Sequence, residues 1–132
     1  METITHYLVG FLLAAHGWVH FVYVASSQGW LGPGEGWGWN GRSWLLSGVL
    51  DEGSILDAAS VFFLLVAIGF AAGALGYVLS LDWWMPILAG SAILSTILYI
   101  VMWDGEGSGL FEKGGLGVVV DVVVLVWLFV LH

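Results

Sequence analysis

Four apolar segments, about Ile4–Ser26, Ile55–Leu79, Pro86–Trp103 and Leu116–Leu131, leave this chain few ways to fold. Each is close to the ~20 residues that cross a bilayer core, the last two near the short limit. Of the 132 residues 60% are hydrophobic and 9% charged, more apolar surface than a soluble domain of this size could hide. The expectation is an all-α, four-transmembrane-helix antiparallel bundle forming one integral membrane domain over residues 1–132, multi-pass in the cell membrane. The first segment opens with Glu2, lacks a basic flank and is too long for the apolar part of a signal peptide, so it reads as a retained span.

Three links join the segments. Ser80–Met85 and Asp104–Gly115 are short, which implies antiparallel neighbours. Ser27–Ser54 is long and contains "GWLGPGEGWGWNGRSW". Its glycines argue against a regular helix, and Trp30, Trp37, Trp39 and Trp44 suit the headgroup level, so this Gly/Trp-rich link is expected to cap the bundle at the interface. Trp83 and Trp84 mark the opposite interface. Arg42 and Lys113, the one arginine and one lysine, fall in the first and third links, too few charges to fix the orientation.

Ten acidic residues against two basic ones give a formal net charge of −8. Phosphate binding needs a basic patch, so a nucleic-acid partner is excluded, and an anionic lipid surface is equally unsupported. Acidic links with almost no lysine suit salty water, as in a halophile, where screening tolerates crowded carboxylates. With no cysteine in the sequence, thiolate metal sites, iron–sulfur clusters and thiol nucleophiles drop out.

The informative stretch is "LLAAHGWVHFVYVA", Leu12 to Ala25, where His16 and His20 stand one helical turn apart in a span. At ~100° per residue, Val9, Leu13, His16, His20, Tyr23 and Ser27 form one stripe, with His6 at its margin. Tyr7, Phe11, Ala14, Trp18, Val22 and Ala25 form the opposite, lipid-facing side. In the fourth segment Gly114, Gly117, Asp121 and Leu128 share the face suited to close packing, and Val119, Val123, Val126 and Val130 the other. Ala92, Ser95, Thr96 and Tyr99 line one side of the third. The second carries the small-residue pattern "GFAAG", Gly69 to Gly73, with Asp57 and Ser60 near its start.

Measured from the side of the first and third links, His20 lies roughly 9 Å deep, Asp121 and Ser60 about 8 Å, and Tyr99 about 6 Å, with His16 one turn deeper. One polar layer thus draws on all four segments. An ionised Asp121 at that depth needs a partner, and a His–Asp pair is the best single contact. Hydroxyls such as Ser60, Ser95 and Thr96 bond back to their own helix by default, and Asp57 reads as an interfacial cap.

Three chemistries fit the layer. The leading one is a polar pocket in which His16, His20, Tyr23, Ser60, Tyr99 and Asp121 bind a small molecule, quinone-like or lipid, in a non-enzymatic or redox-accessory protein. A second is a metal held by His16, His20 and Asp121, since imidazoles spaced i, i+4 share a helical face. A third is a proton relay through the His–Asp pair. The bland alternative is a structural or assembly subunit, or a homo-oligomer, whose polar layer only locks helices together; the lipid bilayer is a partner in every case.

"AAHGWVH", "GVLDEGSILDAASVFF", "WW" and "LSTILYIVMWDG", in that order, resemble small, uncharacterised prokaryotic four-helix membrane proteins loosely related to the DoxX-like families. The resemblance implies the four-helix fold. Through the quinone-linked redox chemistry associated with some DoxX-like members, it also points to a ligand. It assigns no role to His16, His20 or Asp121.

Overall fold

The computed structural model describes residues 2–28, 30, 42–103, 105, 107 and 115–131. Among them it is all-helical, with four helices: α1 (Glu2–Ser27), α2 (Glu52–Val78), α3 (Trp84–Val101) and α4 (Leu116–Val126), the last running into a π-helical end, Trp127–Leu131. Three of these, α1, α2 and α3, are long and apolar enough to cross a membrane; α4 with its π end is apolar and shorter. At 1.5 Å per residue α1 and α2 are each about 40 Å long and α3 about 27 Å, against ~30 Å of hydrocarbon. Trp37, Trp39, Asp104, Lys113 and Gly114 lie outside the described residues, as do the Ser27 side chain and most of the first and third links.

Local chemistry sets the helix ends. α2 starts after Asp51, whose backbone is extended and whose carbonyl accepts the Ile55 amide at 3.1 Å. The exposed Asp51 carboxyl is held below its usual range by the hydrogen bond with Ser54, as expected of an acid at a helix N-terminus. That contribution is present at neutral pH and lost as pH falls through the carboxylate range. Asp57, expected to cap, is instead exposed in the second turn.

At the other end, the Leu81 amide reaches back to the Gly76 carbonyl (2.8 Å) and Ser80 to Tyr77 (3.1 Å), a Schellman stop. It needs a left-handed residue, and Ser80 supplies it at φ 55°. α3 begins at Trp84, two residues before Pro86, because a proline in the first turn has no intrahelical N–H to lose.

The end of the first link closes the C-terminus of α3. Ser43 donates its hydroxyl to the Val101 carbonyl, Trp44 donates its indole N–H to Ile100 (2.6 Å), and its backbone N–H bonds Trp103 (2.7 Å). These bonds satisfy carbonyls that the last helical turn leaves unpaired. Ser43 Oγ also accepts the Leu46 amide at 3.1 Å, capping a short turn over 44–50. The described end of the link is thereby fastened to the C-terminal end of α3.

α1 packs on α2, α2 on α3 and α3 on α4. Close approach relies on small residues: a Cβ at Gly17 would lie 2.8 Å from Phe70 Cβ and 3.3 Å from the Ala67 carbonyl. On "GFAAG", Gly69 faces Ser91 and Gly73 faces Leu88, so that pattern is a true packing seam. Phe63, Phe70, Ile55, Leu88 and Val66 fill the centre.

Tyr7, Phe11, Ala14 and Trp18 point outward, as do Val119, Val123, Val126 and Val130. Val22 is half-buried. Ala25, expected outside, is buried, and the Trp30 amide bonds its carbonyl at 2.9 Å.

Candidate functional site

Helical periodicity delivers Leu13, His16, His20 and Tyr23 to the interior on one stripe of α1. Asp121, fully buried on α4, meets that stripe: His16 Nε2 donates to Asp121 Oδ1 at 2.7 Å, and the residues are 105 apart in sequence. At this length the bond is at the short end of the range for a nitrogen donor and an oxygen acceptor. Thr96 Oγ1 stands 3.4 Å from the other carboxylate oxygen while donating to its own helix at Ala92 (2.9 Å).

Residue counting matches His20 in depth to Asp121; the partner is His16, one turn deeper. Counting from segment ends fixes depth only to about a turn, or ~5 Å. His20, also fully buried, takes other partners. Its Nδ1 donates to the His16 carbonyl at 2.9 Å, which fixes the tautomer and leaves Nε2 as the acceptor of a neutral ring. The Ser95 hydroxyl donates to it at 2.6 Å. Through the His16 carbonyl, His20 and Ser95 join the His16–Asp121 pair, so α1, α3 and α4 share one hydrogen-bonded set.

Aromatic side chains form its walls. His20 stacks on Phe70 (5.5 Å, 22°), and His16 meets the same ring edge-on (4.8 Å, 84°). Tyr99 lies 5.5 Å from the His20 ring and edge-on to Tyr23 at 5.5 Å. Its hydroxyl is buried and has no hydrogen-bond partner among the described residues. The ring presses against α4 where Gly117 offers no side chain; a Cβ there would come within 2.7 Å of it.

Of the six residues expected to bind a ligand, His16, His20, Tyr99 and Asp121 come together, and Tyr23 borders them through its ring. Ser60 is engaged elsewhere, donating to Leu56 (2.9 Å) and accepting from Gln28 Nε2 (2.6 Å). His6 is half-buried and donates to the Val78 carbonyl at 3.2 Å, beside Tyr77.

Two participants escaped the sequence reading. In sequence Ser95 shares the back-bonding default that Ser60 and Thr96 follow, and only a cross-helix neighbour distinguishes it. The Ser43–Trp44 clip carries no spacing signal at all. Comparison with family models, with curated proteins and with solved structures finds no match, so no family, the DoxX-like one included, is supported.

Proposed function

We propose that the chain is a multi-pass membrane protein whose four helices alternate in direction and whose inner polar layer binds a small hydrogen-bonding ligand, quinone-like in its chemistry. Two pairs of facing residues support the alternation: Gly10 meets Val78 while Gly17 meets Phe70, so α1 and α2 run in opposite senses. The observation that carries the ligand reading is the Tyr99 hydroxyl. A buried donor without a partner costs about 1–3 kcal/mol, and a ligand carbonyl or hydroxyl would relieve that cost. The His16–Asp121 pair alongside supplies exchangeable protons, and the aromatic walls suit a flat ring.

The test is titration of menadione and decyl-ubiquinone into the detergent-solubilised full chain, read by tryptophan quenching. Saturable binding is expected, weakened about three- to tenfold by Tyr99→Phe, the loss of one hydrogen bond. No saturable quenching, or unchanged affinity in that variant, overturns the reading.

A second reading has its own support. His16–Asp121 and His20–Ser95 satisfy one another without any ligand. Phe129, Val130 and Leu131 leave an apolar end on α4. Both features suit a subunit of a larger membrane assembly, or of a homo-oligomer. Native mass spectrometry of the complex extracted from membranes separates the two: added chains support the subunit, a small-molecule adduct the binding protein.

A further inference from the structure

We propose that His16, His20 and Asp121 form a binding site for a divalent transition-metal ion of the zinc class. The donor atoms of these three residues all lie within 4.8 Å of one another, and all three residues are buried. Two imidazoles and one carboxylate are a recurrent ligand set for Zn²⁺ and its first-row neighbours, and poor for Mg²⁺ or Ca²⁺, which take oxygen.

A metal-binding histidine commonly donates its other ring N–H to a carbonyl, which turns the free nitrogen toward the ion. His20 does so: Nδ1 is tied to the His16 carbonyl at 2.9 Å and Nε2 points to Ser95, inside the layer.

Donor atoms within 4.8 Å of one another would have to draw together around the ion. Ligands about 2.0–2.2 Å from a tetrahedral ion stand ~3.3 Å apart. The His16–Asp121 contact would open from 2.7 Å, and His20 Nε2 would turn from Ser95 toward the same point. The ion takes the place of the proton between His16 and Asp121, which moves to His16 Nδ1 or leaves the protein. One carboxylate leaves a divalent ion with a net positive charge, and a hydroxide in the fourth position would cancel it within these apolar walls.

This inference does not depend on the small-ligand reading, which turns on Tyr99 and is tested by Tyr99→Phe. The full chain, purified in detergent and stripped with chelator, is loaded with Co²⁺ alone. An intense tetrahedral ligand-field band at one ion per chain, abolished by added Zn²⁺, is expected. Co²⁺ on surface carboxylates is octahedral and faint, so absence of the band in the wild-type chain overturns the proposal.

His20→Gln and Asp121→Asn, close in shape to the originals, should each weaken binding more than about 100-fold, beyond what loss of an orienting contact does. His6→Ala, away from the layer, should leave binding unchanged. X-ray absorption of the Zn²⁺-loaded wild-type chain requires no variant to fold. Two imidazoles with oxygen in the shell support the site, and any smaller number of imidazoles refutes it.

Discussion

The 2.7 Å bond between His16 and Asp121 joins two groups that each need the other. In a low-dielectric interior, removing one partner leaves a polar or charged group stranded, typically at 3–5 kcal/mol, while removing both is far milder. His16→Ala and Asp121→Ala should therefore each lower stability by about that much, and the double variant by less than the sum, with a coupling of about 1–3 kcal/mol. Denaturation of the four proteins in detergent measures the cycle. Additive losses would mean that the contact contributes nothing specific. The sequence made this pairing half legible: an acid inside "VVVDVVVLV" has to find a base, and the inward stripe offered two histidines. Choosing between them required knowing that the His16 carbonyl and Ser95 already occupy His20.

Among the elements, α1 and α2 meet at a position too close for a side chain. Gly17→Leu drives a branched chain into Phe70 and the Ala67 backbone, and should destabilise the fold by at least 1–3 kcal/mol. Phe11→Leu, on the exposed side of the same helix, should cost under about 0.5 kcal/mol. Thermal unfolding in one detergent compares them directly, and equal losses would mean that the faces of α1 are misassigned.

Helix existence and facing were readable because apolar periodicity is a property of each segment alone. The stripe from Val9 to Tyr23 and the outward valines of α4 follow from it. Tertiary neighbours were not readable: Ala25 is buried although it lies on the outward face, and Ser60 is drawn to Gln28. Pro86 suggested a boundary that the first-turn tolerance of proline moves back to Trp84.

Across the whole molecule, the polar layer sits nearer the end where Ser43 and Trp44 clip onto α3. Beyond its other side lies an aromatic cluster in which Tyr77 meets Trp84 (5.1 Å) and Trp127 (5.5 Å). Tryptophan and tyrosine favour the two membrane interfaces, so the clusters fit the two ends of a spanning bundle. With four spans, position 2 and position 42 fall on opposite sides. Glu2→Cys and Arg42→Cys should then react with an impermeant thiol reagent from opposite faces of intact cells or sealed vesicles. Labelling of both from one face would refute the four-span arrangement.

The 105-residue interval between His16 and Asp121 has a consequence for biogenesis. In that arrangement α1 enters the bilayer before the helix bearing its partner is made. At ~5–20 residues per second of synthesis, His16 waits roughly 5–20 s before Asp121 exists. Until then the nascent chain must shelter a polar helix face, beside the insertion machinery or in a shallow position at the interface. Closure of the pair would mark the moment at which that shelter can be released, and a chain truncated before α4 would remain a substrate for quality control.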